Sequence, residues 1–245
     1  MGRLAWAPGE IAEVRWETNR VKSLAIDVPS WSGHRAGQHV DLRLTAQDGY
    51  QTVRSYSLSS PPGAGRVTVT VERIDDGEVS PYLVDEARPG DRLELRGPLG
   101  GYFVWEPAMG GPLMLVAGGS GVVPLAAMIR HWDAADGEVS VKLLYSSRSE
   151  EDAIFRAELD GLAASSAALE VVHTFTRSAP TRWAGYRRRI DREMLADVAW
   201  PASSGPLAYV CGPTRLVEQV AGDLLALGYR PDLARTERFG PTGGS

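Results

Sequence analysis

The sequence contains a single cysteine, Cys211, in 245 residues. One thiol excludes an intrachain disulfide and any zinc or iron–sulfur site built on four cysteines of this chain. No metal-ligating set is expected, and a reducing, cytoplasmic location is the expectation that follows. Excess positive charge is lacking too: 26 Lys and Arg against 31 Asp and Glu give a net charge of −5, which argues against broad nucleic-acid binding. The stretch Met1 to Glu10 has neither a long apolar core nor a cleavage pattern. One charge-free run, Gly110 to Ile129, is long enough to suggest a membrane span. Gly118, Gly119, Gly121 and Pro124 interrupt it, so it reads instead as a buried strand turning into a helix.

What is present divides in two. From Ile11 to Phe103 the apolar period is mostly two and turn signals recur. Strands are expected over Ile11–Trp16, Val21–Val28, His39–Leu44, Arg54–Ser60, Arg66–Ile74 and Asp91–Arg96. One helical insert follows Asp76-Gly77-Glu78-Val79-Ser80-Pro81, with Ser80 suited to the N-cap and Pro81 to the first helical position. Six strands and one insert predict a small antiparallel β-barrel. The Gly- and Pro-rich stretch Pro107–Pro112 marks a boundary, giving expected domains 1–106 and 107–245. Beyond it, strands at Leu113–Ala117, Val139–Tyr145, Leu169–Thr174 and Leu207–Cys211 alternate with helices at Pro124–Trp132, Ile154–Ala163, Asp191–Asp197 and Thr214–Leu227. That alternation predicts an α/β domain with a parallel sheet, whose ligands bind at the carboxyl ends of its strands.

The densest chemistry lies in Arg54-Ser55-Tyr56-Ser57-Leu58-Ser59-Ser60. A guanidinium suits a phosphate, an aromatic ring a planar heterocycle, and a hydroxyl a ring nitrogen. Those are the needs of a flavin nucleotide, although an edge strand with solvated serines would read the same way. Gly77 and the turn before Pro81 suit close approach of a phosphate, or an ordinary capped helix. In the second half, Ala117-Gly118-Gly119-Ser120-Gly121-Val122-Val123-Pro124 joins the first strand to its helix and can admit a pyrophosphate. The next strand ends in Tyr145-Ser146-Ser147-Arg148, where an NAD site often has an acid. Two hydroxyls and an arginine suit a 2′-phosphate better, and Arg177 and Arg182 can add charge; the opposing reading is that Glu150, Glu151 and Asp152 neutralise surface arginines. Cys211-Gly212-Pro213 ends a later strand, where the thiol is either a nicotinamide neighbour or simple core. The tail Arg235 to Pro241 is polar around Phe239 and either covers a ligand or frays.

In order, these residues resemble the ferredoxin–NADP reductase family of flavoproteins, over about Ile11 to Pro241. The family's R-x-Y-S motif matches Arg54, Tyr56 and Ser57, implying that they hold the FAD pyrophosphate, the isoalloxazine and the region of N5. Its G-x-x-S motif matches Gly77, Glu78, Val79 and Ser80 at the pyrophosphate, and Val71 and Arg73 would line the flavin chain. Gly118, Gly119, Ser120, Gly121 and Pro124 match its G-G-x-G-x-x-P loop for NAD(P)H, to which Ser147, Arg148 and Arg177 would add. Cys211, Gly212 and Pro213 match its C-G-P element by the nicotinamide, and Glu237-Arg238-Phe239-Gly240 resembles its terminal E-R-F-G.

The resemblance implies hydride transfer from NADPH, or NADH, to FAD N5, with Ser57, Cys211 and Glu237 as polar groups around the transfer. Many relatives carry a plant-type iron–sulfur domain with four ligating cysteines, which one cysteine cannot supply. Electrons are therefore expected to leave for a separate ferredoxin or other redox protein. Arg182 and Arg187 to Arg189 offer a basic patch for an acidic carrier, or simply a solvated surface. Two alternatives remain at this point: a flavin reductase or diaphorase acting on small acceptors, and an electron-transfer subunit with little turnover outside a larger redox complex.

Overall fold

Strict alternation of Val67, Val69 and Val71 with threonines builds one wall of the first core: all three valines have no exposed surface. Each contributes roughly 1.5–3 kcal/mol relative to an exposed side chain. The computed structural model describes residues 5–46, 48–137 and 139–239. The chain divides between Trp105 and Glu106 into two compact units.

The first unit contains β1 (Ala7–Thr18), β2 (Val21–Asp27), β3 (His39–Thr45), β4 (Gln51–Ser57), β5 (Arg66–Glu72) and β6 (Arg92–Leu99). They form one antiparallel sheet in the order β4-β3-β6-β1-β2-β5. A bridge between Leu58 and Val69, with the Ser59 N–H donating to Thr68 O at 2.8 Å, joins the two sheet edges and closes the barrel. Inside lie Leu24, Ile26, Val40, Leu42, Leu58 and Leu95 with the three valines.

Two local expectations are corrected here. The strand expected over Arg54–Ser60 instead spans Gln51–Ser57, because closure uses Leu58 and Ser59 to reach across the barrel. The insert is a single wide turn, Tyr82–Glu86, and Ser80 does not cap it. The Ser80 hydroxyl instead accepts from the Ile74 N–H at 3.0 Å, pinning the turn that carries Gly77.

The second unit runs β7 (Leu113–Gly118), α1 (Val122–Ala134), β8 (Val141–Ser147), α2 (Arg156–Ser165), β9 (Leu169–Phe175), α3 (Arg192–Val198), β10 (Leu207–Pro213), α4 (Thr214–Ala226) and β11 (Ala234–Phe239). Its five strands are all parallel, in the order β11-β10-β7-β8-β9. Met114, Val116, Leu144, Ala208 and Val210 pack on one face with residues of α3 and α4. The alternate residues Leu113, Leu115, Leu143 and Tyr145 are also fully buried, so both faces are covered. The charge-free run is the strand β7 followed by α1, and among the described residues no helix is long and apolar enough to cross a membrane.

The tail does not fray over Ala234–Phe239, which is a strand of the sheet. Its pairing puts Glu237 beside Cys211 and Phe239 beside Pro213. Gly240 and Pro241, the last residues of the resemblance, lie outside the described residues.

Candidate functional site

In the first unit, the strand β4 sets out a candidate site. Thr52, Arg54 and Tyr56 share one face because side chains alternate along a strand, and Ser55 and Ser57 share the other. Three of the four serine hydroxyls in the heptad are already engaged. Ser55 donates to Asp41 Oδ1 at 2.6 Å, Ser59 contacts Thr70 Oγ1 at 2.9 Å, and Ser60 accepts from the Thr68 N–H at 3.0 Å. The Ser57 hydroxyl is buried and has no hydrogen-bond partner among the described residues. A buried hydroxyl left unmet costs about 1–3 kcal/mol, and a ring nitrogen of a ligand would relieve that cost.

Tyr56 packs against the barrel core, and its burial pushes the phenol up to about 12, against the pull of Arg54, so it stays neutral. Arg54 is exposed: its Nη1 donates to Val53 O at 2.8 Å, and its Nη2 lies 3.6 Å from Glu78 Oε2. Through that contact the R-x-Y-S strand meets the Gly77-to-Ser80 turn. Cation, ring, hydroxyl and tight turn thus belong to one unit, a set that fits a flavin nucleotide.

Three of the expected residues have side chains engaged within the fold. Val71 has no exposed surface and Val79 is 1 % exposed, so both are barrel core with almost no surface to line a ligand. Arg73 is engaged by Asp75 and, at 2.8 Å, by Asp85, so its charge is already matched within the turn.

The second unit has its own candidate site at the carboxyl ends of β7, β8 and β10. Gly121 ends a short turn, Gly119–Gly121, directly before α1. A Cβ there would sit 2.1 Å from Cys211 O, so only glycine lets the loop pass. Gly212 has φ +153, and a Cβ on it would meet the Gly118 backbone at 3.1 Å. The two glycine motifs therefore interlock and leave the start of α1 beside the end of β10. Pro124 is the third residue of α1, in the first turn, where its missing N–H costs little.

At the tips of β8 and β9 the Arg148 carbonyl accepts from the N–H groups of Arg177, at 2.8 Å, and Ser178, at 3.1 Å. Both arginine side chains are exposed. Of the nearby acids, Glu150 pairs with Arg156, and Asp152 accepts from Ser149 at 2.8 Å. Ser147 is buried and donates to Ser149 O at 3.1 Å, shaping this tip. Arg182 is exposed with φ 66. In the basic run, Arg188 is matched by Asp191 at 2.7 Å and Glu193 at 3.0 Å, while Arg187 donates to Trp183 O at 2.6 Å.

Cys211 is fully enclosed, and burial, reinforced by the neighbouring Glu237, pushes its thiol well up. It is therefore a neutral packing group rather than a thiolate. Burial also raises Glu237 from its ordinary 4.5 to about 7. The folded state then holds a proton that the unfolded chain has released, so stability falls as pH rises across that window. Urea titrations from pH 4.5 to pH 8 will show this slope in the native chain and a flatter one in Glu237→Gln, with a gain on the order of 3 kcal/mol at the alkaline end. Parallel slopes would place Glu237 in a solvated setting.

Sequence reading missed Tyr50 and Thr52, and placed Glu78 in the G-x-x-S match without a role of its own. Tyr50 and Thr52 precede Arg54 at even spacing, the signal for a shared strand face, and all three reach toward one carboxylate.

Comparison with known proteins agrees with this geometry. Residues 10–104 match the oxidoreductase FAD-binding domain and residues 115–222 the oxidoreductase NAD-binding domain. Ferredoxin–NADP reductase B of Sorangium cellulosum is 34% identical over 190 residues, covering 76% of this chain and 76% of that protein. The glycine betaine monooxygenase reductase subunit of Pseudomonas aeruginosa is 29% identical over 97% of this chain, which spans 66% of its length. The FAD/NAD-binding domain of nitric oxide dioxygenase from Vibrio cholerae has the same fold, with a TM-score of 0.85 at 24% identity over 96% of this chain and 99% of that one. With the matched domains in the order its motifs require, this chain belongs to the ferredoxin–NADP reductase family of flavoproteins.

Proposed function

We propose that the chain is a FAD-dependent reductase that takes hydride from NADPH and passes electrons to a separate one-electron acceptor, a ferredoxin or partner redox enzyme. The observation that carries this reading is the Ser57 hydroxyl, buried and unmatched on the strand that also bears Arg54 and Tyr56. When bound, FAD supplies a ring that accepts two electrons as hydride and can return them singly. Arg54 would hold the pyrophosphate, Tyr56 would lie against the ring, and Ser57 Oγ–H would donate to N5. Gly118 to Gly121 and the start of α1 would receive the dinucleotide pyrophosphate, with backbone N–H groups facing the anion. Gly212 lets the end of β10 approach the Gly118 backbone, and the nicotinamide would lie near that end, by Cys211 and Glu237, which are uncharged below about pH 7.

The preference for NADPH rests on Arg148 and Arg177, held together by a backbone bond while Glu150 is paired with Arg156. Arg148→Ala will raise KM for NADPH about tenfold or more while leaving KM for NADH nearly unchanged, since a charge-assisted bond contributes about 1.5–3 kcal/mol. Equal changes with both donors would remove the preference.

A separate acceptor is supported by relatives named as a reductase subunit and a ferredoxin–NADP reductase. A cytoplasmic location is supported by the lone, buried thiol. Anaerobic stopped-flow mixing of the FAD-loaded protein with NADPH tests the whole reading. Bleaching of the flavin band, followed by recovery when a ferredoxin is added, is the outcome expected. A flavin band unmoved by either nicotinamide would overturn it.

A further inference from the structure

The turn that carries Gly77 and Ser80 also carries an acid, and that acid sits on the cation assigned to phosphate. Glu78 Oε2 lies 3.6 Å from Arg54 Nη2. It also accepts from the Thr52 hydroxyl at 3.4 Å and the Tyr50 phenol at 3.4 Å. Thr52 and Arg54 share one face of β4, and Tyr50 precedes the strand at the same even spacing. One carboxylate oxygen thus collects the polar groups that face the turn from this side.

We propose that Glu78 is a displaceable carboxylate that occupies the flavin-pyrophosphate site, so that FAD binds by exchanging one anion for another. The inference rests on the reading of Arg54 and the Gly77–Ser80 turn as that site. The contacts are long and lie at a solvated surface, with side chains 54% and 57% exposed, so the carboxylate is held loosely enough to leave. Its anchor does not leave with it: Ser80 ties the turn to the Ile74 N–H, and Val79 is buried in the barrel core. Glu78 therefore swings out from a fixed turn and remains near the phosphates as a like charge. The site holds FAD less tightly than its cation alone would, and the flavin exchanges faster. Glu78 sets flavin retention and takes no part in hydride transfer.

The test is titration of FAD into apo-protein, followed by quenching of flavin fluorescence, for the native chain, Glu78→Gln and Glu78→Lys. At low ionic strength Glu78→Gln will bind FAD roughly three- to tenfold more tightly, mainly through slower release, and Glu78→Lys more tightly still. Both gains will shrink at high ionic strength, because exposed charges are screened there. Equal or weaker binding by Glu78→Gln overturns the inference and leaves the flavin site intact. Failure of all three proteins to bind FAD removes the flavin reading, and this inference with it.

Discussion

Replacing Gly121 by alanine will destabilise the second unit by about 3 kcal/mol or more and abolish reduction by nicotinamide. The added methyl group would lie 2.1 Å from Cys211 O, 2.4 Å from its carbonyl carbon and 2.7 Å from Gly212 N. All three atoms belong to the backbone of a buried strand, which cannot turn aside as a side-chain tip can. Overpacking of this kind typically costs about 1–3 kcal/mol, and a clash with fixed backbone lies at the upper end. The loop can yield only by separating Gly118–Gly121 from Cys211–Gly212, which disrupts the interlock that sets the start of α1 beside the end of β10. A fall in Tm of roughly 10 °C is the corresponding thermal signature. FAD content should be retained, because the flavin residues lie in the other unit. Gly161→Ala is the control: that glycine is in α2, where an added Cβ would meet nothing within 4 Å, and the change should be neutral or slightly stabilising. Calorimetry showing Gly121→Ala melting like the native chain would mean the loop does not pack against β10.

Arg54→Ala will strip the flavin without unfolding the barrel. The side chain is exposed and contributes little to packing; its strongest contact is to the carbonyl of its neighbour, Val53, at 2.8 Å. Loss of a charge-assisted phosphate contact costs about 1.5–3 kcal/mol, so FAD binding should weaken by roughly 10- to 150-fold. The flavin-to-protein ratio after gel filtration should fall steeply while far-ultraviolet circular dichroism is unchanged. Arg54→Lys should recover only part of the affinity, since a point charge cannot reproduce the planar fork of a guanidinium. A normal flavin ratio in Arg54→Ala would displace the pyrophosphate from β4.

The candidate site was only partly legible in the sequence. Its loops could be found because the residue types are demanded locally. Gly121 must lack a Cβ, Gly212 must take positive φ, and Arg54, Tyr56 and Ser57 alternate as strand residues do. Which of the heptad's hydroxyls is left for a ligand was not legible from the residues themselves. Ser55, Ser59 and Ser60 are matched by Asp41, Thr70 and Thr68, which lie on other strands. For Val71 and Arg73, likewise, the surroundings of the side chains come from other parts of the chain. The first is drawn wholly into the barrel, and the second is claimed by Asp75 and Asp85, so neither presents free chemistry. Ser80 has the composition of a helix cap, but the nearby Ile74 N–H competes for its hydroxyl and wins.

The sequence by itself determined the division into a strand-rich half and a half of alternating strands and helices, the glycine loops, and the lack of an iron–sulfur ligand set. Each of these follows from period, residue type or count, which need no knowledge of distant partners. Only the tertiary structure decided that the tail is the edge strand β11, that Glu237 lies beside Cys211, and that Glu78 rests on Arg54. The physical reason is that these pairings are non-local. β11 reaches its place only after α4 has carried the chain back along the sheet, and Glu78 meets Arg54 only after β5 has crossed the barrel. A polar segment such as Ala234–Phe239 carries no apolar period to announce such a partner, and its strand conformation comes from the hydrogen bonds that β10 offers it.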